Sequence, residues 1–105
     1  MDKLCTLLKK IQERPGLYVG ETSFDKLIQF IGGYRWRDFE LDPNHKDCLD
    51  GFLEFVRRYY NDYNDAINWF DIIAENTKND EEALYKFFEL FDEFTANAET
   101  QNSHV

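Results

Sequence analysis

The sequence predicts an all-α protein, a compact bundle of about five helices, on three observations. Apolar residues recur at helical spacing along most of the 105 residues, and capping signals precede several of these stretches. No stretch shows the two-residue alternation that is typical of strands. Because the connections are short, we expect helices that are neighbours in sequence to pack antiparallel. Residues 1–95 are expected to form a single helical domain and residues 96–105 a flexible polar tail.

The first helix is expected at residues 2–13, where one apolar stripe recurs at helical spacing: Leu4, Leu7, Leu8 and Ile11. Pro15 ends it, because proline lacks a backbone donor and disfavours helical angles in the residue before it. The next residues are punctuated by glycine and too few for another helix. We therefore expect a short extended strap with the sequence RPGLYVG, residues 14–20, between the first two helices.

The second helix is expected to start from Thr22 as its cap, with Asp25 completing an acidic capping box. Its apolar residues again share one face: Phe24, Leu27, Ile28, Ile31 and Tyr34. Gly32 and Gly33 are adjacent, and each costs about 1 kcal/mol relative to alanine inside a helix. We therefore expect either close packing against a neighbour or a break at this pair.

Three further helices are expected in the second half of the chain. Asn44 is the predicted cap of a helix that runs to about residue 61. A short helix at residues 66–75 follows. Asn79 and Glu82 form a capping-box-like start for the last helix, whose aromatic residues keep the helical period: Phe87, Phe88, Phe91 and Phe94. That helix is expected to end near Thr95, where the chain becomes small and polar.

The formal net charge of −9 is distributed unevenly. Residues 1–37 hold seven Lys/Arg and four Asp/Glu, a net +3, whereas residues 38–105 hold five and seventeen, a net −12. Residues 38–105 are acidic enough to repel phosphate backbones and to attract basic protein surfaces. We therefore do not expect direct nucleic-acid binding. No apolar run is long enough to span a membrane, and no signal-peptide pattern is present. We therefore expect a cytoplasmic protein that does not enter membranes.

Few residues are suited to catalysis or to metal binding. The only histidines are His45 and His104, and neither lies in a recognisable nucleophile–base pattern. Carboxylates at helical spacing, Glu89, Asp92 and Glu93, lack the histidine partners that di-metal carboxylate bundles use. No glycine-rich phosphate loop is present. We expect no enzyme activity, no cofactor and no bound metal, while a small carboxylate–metal enzyme remains the alternative.

The region from Tyr59 to Glu75 mixes aromatic and acidic side chains. Tyrosine and tryptophan are the residues that most often anchor protein interfaces, and charged neighbours select the partner. This pattern predicts a partner-binding surface at seven residues: Tyr59, Asp62, Tyr63, Asp65, Trp69, Asp71 and Glu75. The competing interpretation is that the rings belong to the core and that the acids only form turns.

Several segments together resemble small helical immunity proteins of bacterial contact-dependent inhibition and polymorphic toxin systems. These segments are RPGLYVG at residues 14–20, residues 23–34, residues 52–55, residues 69–73 and the acidic, aromatic end at residues 82–94. The resemblance implies a protein that binds and neutralises a cognate toxin domain. Because nuclease toxins are basic at their clefts, we expect a nuclease whose cleft the acidic chain occludes. A generic acidic interaction module or a DNA mimic is the remaining alternative.

Overall fold

The computed structural model describes residues 3–14, 23–65 and 67–103. Within these ranges the chain forms five α-helices and no strand, so the expected all-α class is confirmed. The helices are α1 (Lys3–Glu13), α2 (Phe24–Leu41), α3 (Phe52–Tyr60), α4 (Trp69–Glu75) and α5 (Asp80–Ser103). The chain divides into two compact units, residues 1–50 and residues 51–105. The predicted strap at residues 14–20 lies outside the described ranges except for Arg14, and it stays a prediction, as does the single-domain organisation of residues 1–95.

In the first unit, α1 buries three of the four residues of its predicted stripe, Leu4, Leu8 and Ile11. The fourth, Leu7, is only half-buried, and Cys5 is buried as well. The N-terminus of α2 differs from expectation, because Ser23 is its cap and not Thr22. The Ser23 hydroxyl accepts a hydrogen bond from the backbone N–H of Lys26 at 3.2 Å while its own backbone stays extended. Serine is at least as good a cap as threonine, and this register satisfies one of the helix's otherwise unpaired donors.

Among the described residues, the glycine pair neither breaks α2 nor packs closely against a neighbour, so neither expectation for it holds there. The helix runs through Gly32 and Gly33 to Leu41, and both glycines are exposed. No heavy atom of the described residues lies within 4 Å of where a Cβ would stand at either position. The apolar stripe ahead of the pair is buried at Phe24, Leu27 and Ile31. Because helix formation is cooperative, that anchored stretch carries the helix across two unfavourable residues.

Residues 42–51 form a loop with turns, so the predicted start of the third helix at Asn44 is wrong, because α3 starts at Phe52. Its predicted end near residue 61 is confirmed. Two aspartates compete with helical hydrogen bonding here. The Asp47 carboxylate accepts from the backbone N–H of Leu49 at 2.9 Å, and the Asp47 N–H donates to the Asp50 carboxylate at 2.6 Å. Gly51 then has a φ of 87°, a left-handed conformation that favours glycine. The chain therefore enters α3 from a turn that Gly51 closes.

The other two helices in the second unit start from asparagine caps. Asn68 and Asp71 make a reciprocal capping box, so α4 begins at Trp69 and not at residue 66. The predicted cap of α5 is confirmed, because the Asn79 side chain accepts from the Glu82 N–H at 2.8 Å. Its predicted end near Thr95 is wrong, since α5 continues to Ser103. Residues 96–103 contain neither glycine nor proline, so nothing local stops the helix.

An aromatic cluster fills the core of the second unit, where α3, α4 and α5 pack against one another. Phe52 is fully buried, and its ring meets Trp69 at 5.1 Å and Phe87 at 5.7 Å between centroids, both edge to face. That geometry suits the aromatic quadrupole, so the rings contribute beyond their buried area. Across the described residues, no polar or charged residue is buried as a whole. None of the helices, searched over those residues, is long and apolar enough to cross a membrane.

Candidate protein-binding surface

The C-terminal end of α3 presents an exposed tyrosine that its neighbours hold in place. Tyr59 is 46% exposed. The Lys86 ammonium lies 5.6 Å from the centroid of the Tyr59 ring and donates to its hydroxyl at 3.5 Å. Lys86 also pairs with Glu89 at 3.1 Å. Lys86 therefore contacts Tyr59 at the hydroxyl end of its ring.

The loop after α3 carries a second exposed tyrosine and two acids. Tyr63 is 59% exposed. The loop folds back on the helix, since the Asp62 N–H donates to the carbonyl of Arg57 at 3.0 Å and the Asp62 carboxylate accepts from Asn64 at 3.1 Å. Asp65, almost fully exposed, lies 3.6 Å from the Arg57 guanidinium. Asp62 is thus half-buried in a turn, whereas Asp65 and Tyr63 face solvent.

Two residues of the predicted surface have structural roles, and one more stands at a helix end. Trp69 is only 5% exposed and its ring stacks on Phe87 at 5.3 Å, so its assignment to a partner surface is corrected to the core. Burial of its large apolar ring explains why Trp69 lies in the core and not at the surface. For this residue, the competing interpretation of the aromatic rings as core residues holds. Asp71 is half-buried and accepts the Asn68 N–H at 3.1 Å in the capping box. Glu75 is exposed at the last position of α4.

The pKa values of two residues next to Tyr59, Tyr60 and Lys86, are raised. Burial raises the pKa of the Tyr60 phenol, and the nearby Lys86 charge opposes that shift. The Tyr60 hydroxyl oxygen is buried and has no hydrogen-bond partner among the residues that the structure describes. The hydrogen bond from Lys86 to Glu89 raises the pKa of the lysine, which therefore stays charged at all physiological pH values.

The acidic charge is concentrated in the unit that carries this surface. Residues 51–105 hold twelve Asp/Glu and four Lys/Arg, a net charge of −8. Residues 1–50 hold nine and eight, a net charge of −1. A field of one sign on a unit of this size steers oppositely charged partners toward it over roughly a Debye length, about 8 Å at physiological salt. The exposed tyrosines therefore lie on the acidic unit.

A second exposed aromatic pair, on α2, did not enter the sequence-based prediction of the site. Trp36 and Phe39 are 62% and 53% exposed, and their rings stack at 5.9 Å between centroids. The sequence signal that could have revealed the patch is the helical register of Trp36. Trp36 follows the buried Ile31 by five residues, which places it away from the apolar stripe of α2. Two rings at i and i+3 among charged residues indicate a solvent-facing patch.

The described residues offer little that a catalytic or metal centre requires. His45 is exposed on the loop after α2, with its Nε2 3.8 Å from the Asp38 carboxylate. No group of three His, Cys, Asp or Glu side chains among these residues is arranged to hold a metal ion. Comparison of the chain with protein-family models, with curated proteins and with solved structures gives no match.

Proposed function

We propose that the chain is an immunity protein that binds and neutralises a cognate toxin domain, and that it performs no reaction itself. The toxin is a nuclease whose basic cleft the acidic unit occludes, in the cytoplasm of the producing bacterium. The observation that carries the proposal is the placement of two exposed tyrosines, Tyr59 and Tyr63, on a unit with a net charge of −8. The resemblance of the sequence to small immunity proteins also supports the proposal.

The chemistry of the surface suits a nuclease cleft. Such a cleft binds phosphates and so presents lysine and arginine side chains. Exposed acids such as Asp65 and Glu75 attract that surface and raise the rate of encounter. Tyrosine supplies a large, rigid contact area at low entropic cost, and anchors of this kind set the lifetime of a complex. The acids thus contribute mainly to association, and the tyrosines to the slow dissociation that inhibition requires.

Restraint of Tyr59 by Lys86 is the feature that separates this surface from a merely soluble acidic face. An exposed ring in solution gains rotamer freedom, and that freedom is lost when a partner binds. The contact of the Lys86 ammonium with the Tyr59 hydroxyl, at 3.5 Å, removes part of the loss in advance. We therefore expect Tyr59 to contribute more to the affinity than its exposed area alone implies.

The test is a co-expression experiment with the C-terminal domain of the protein encoded immediately upstream. We expect that domain to arrest growth alone and to be harmless together with the wild-type chain. The double variant Tyr59→Ala and Tyr63→Ala should fail to protect, because loss of two interface anchors costs about 2 kcal/mol or more each. Tyr85→Ala is the matched control, since Tyr85 is also an exposed tyrosine of the second unit but lies outside the predicted surface.

The same variants should be measured with purified proteins in a nuclease assay. Inhibition at equimolar chain, lost in the double variant and kept in the Tyr85 control, is the expected result. The proposal would be contradicted by growth arrest that the wild-type chain does not relieve. Protection that survives the double variant would keep a neutralising role but remove this surface from it.

A further inference from the structure

Helix α2 carries an aromatic pair that no other described part of the chain covers. Trp36 and Phe39 lie one turn apart and stack on each other, with more than half of each side chain exposed. Exposed rings of this kind are enriched where a partner protein covers them. Their unit, residues 1–50, has a net charge of −1, whereas the other unit has −8. Two copies of the chain can therefore meet at the first unit with little electrostatic repulsion.

The same face of α2 has a gap one turn before the pair. Gly32 lies within about 40° of both rings around the helix axis. It is exposed, and no described heavy atom lies within 4 Å of where its Cβ would stand. Glycine is unfavourable inside a helix, and no described residue fills the space that it leaves. The Trp36 ring and the gap at Gly32 therefore share one face, about 6 Å apart along the axis.

A ring and a gap on one face make that face complementary to itself. When a second copy of α2 lies antiparallel across the first, with the two-fold axis at the level of Tyr34, Trp36 of each copy meets Gly32 of the other. A two-fold interface always consists of such reciprocal contacts. Because glycine has no side chain, the two helices can approach closely there, and each covers the Trp36 ring of the other.

Charges beside this face favour the antiparallel arrangement. Lys26 and Glu40 are both exposed and lie within about 40° of each other around the axis. They stand about 12 Å and 9 Å from Tyr34, on opposite sides of it. In the antiparallel pair, Lys26 of each copy is therefore within about 3 Å, along the axis, of Glu40 of the other, whereas a parallel pair aligns like charges. The other acid near Lys26, Asp25, accepts a hydrogen bond from the Gln29 amide at 2.8 Å.

We propose that the chain forms a two-fold symmetric dimer through the exposed face of α2, with the two helices antiparallel and centred near Tyr34. The uncovered parts of Trp36 and Phe39 amount to about 200 Å² per copy, against about 800 Å² per partner in a stable interface. The dimer is therefore weak, with an expected dissociation constant of about 10–100 μM. The inference does not depend on the proposed function, because it concerns residues of the other unit.

Sedimentation velocity of the intact chain, from about 5 μM to 500 μM, measures the association. We expect the mass to rise from 12.6 kDa toward twice that value. Trp36→Ala should weaken the dimer about tenfold or more, and so should Gly32→Leu, whose side chain occupies the gap. Leu41→Ala is the matched control, since Leu41 is an exposed apolar residue on another face of α2. It should change the dissociation constant by less than about twofold.

Exchange of charges tests the antiparallel arrangement. Lys26→Glu alone, or Glu40→Lys alone, should weaken the dimer about threefold to tenfold, because each creates two like-charged pairs across the interface. The double variant Lys26→Glu and Glu40→Lys should return the dissociation constant to within about twofold of the wild type, because it restores opposite charges. Both residues are exposed, so all three variants should fold.

Each of three results would overturn the inference. One is a chain that stays monomeric up to about 500 μM. Another is a loss of association in Leu41→Ala as large as that in Trp36→Ala, which would show general adhesion of exposed apolar residues. The third is a double charge variant that binds no better than the single ones, which would show that Lys26 and Glu40 do not meet across the interface.

Discussion

Two glycines in this chain should respond in opposite directions to the same substitution. Gly33 lies inside α2 with no described heavy atom within 4 Å of the point that a Cβ would occupy, and its φ is not left-handed. Alanine there should stabilise the fold by about 1 kcal/mol, the difference in helix propensity. Gly51 has a φ of 87° where the chain enters α3. Alanine there should cost about 1–2 kcal/mol, the strain of a left-handed conformation.

The structure attributes the loss at Gly51 to the backbone alone. A Cβ at this position would lie 3.6 Å from Cζ of Phe94, an ordinary van der Waals contact. Steric overlap therefore adds little, and the gap between the two variants should be about 2–3 kcal/mol. In urea unfolding followed by circular dichroism, we expect the midpoint of Gly33→Ala to rise and that of Gly51→Ala to fall, with unchanged slopes.

A shift of the same sign in both variants would refute this reasoning. If both fell, Gly33 would be packed or would sit at a break, as the sequence alone suggested. If both rose, Gly51 would not hold a left-handed conformation. A changed slope in only one variant would show that the substitution altered the surface exposed on unfolding and not the stability alone.

Other substitutions test the core, a cap and a buried hydroxyl. Phe52→Ala should lower the free energy of unfolding by about 3–5 kcal/mol, because Phe52 is fully buried. Phe39→Ala, at an exposed ring, should change it by less than about 1 kcal/mol. Chemical denaturation measures both. Asn68→Ala removes the capping box of α4 and should cost about 1 kcal/mol in the same assay. Tyr60→Phe removes a buried hydroxyl that has no partner among the described residues, so at pH 7 it should be neutral or stabilising by about 1 kcal/mol. Burial raises the pKa of Tyr60 above its value in the unfolded chain. The wild type should therefore lose stability as the pH rises past about 10, and the phenylalanine variant should lose less. Equal losses in the two proteins would contradict the raised pKa.

The helices of this chain could be predicted from sequence where burial and periodicity agree. The stripe of α1 and the cap of α5 at Asn79 followed directly from spacing and residue type. The failures lie where local hydrogen bonds compete with the helix. At Asn44 the residue type indicated a cap, but Asp47 and Asp50 hold the chain in turns through contacts that no periodicity reveals. At Gly32 and Gly33, the cooperative helix outweighed the propensity of two residues.

The candidate site was predictable only in part, because aromatic residues are used both in cores and at interfaces. Tyr59 and Trp69 look equivalent in sequence, yet one is restrained at the surface and the other lies 5% exposed in the core. The contact that distinguishes Tyr59 comes from Lys86 on a different helix, twenty-seven residues away. Trp36 was discernible from register alone, since it falls off the buried stripe of α2, whereas Phe39 follows Ile31 by eight residues and only its exposure separates it from that stripe. Exposure, rather than residue type, separates the two uses.

We propose that the acidic unit steers the chain onto a basic toxin domain and that the exposed tyrosines then hold it there. The most direct measurement is the association rate of the purified chain with the toxin domain encoded beside it, followed from about 50 mM to 500 mM salt. We expect the association rate to fall about tenfold or more across this range, with little change in the dissociation rate. An association rate indifferent to salt would contradict the claim.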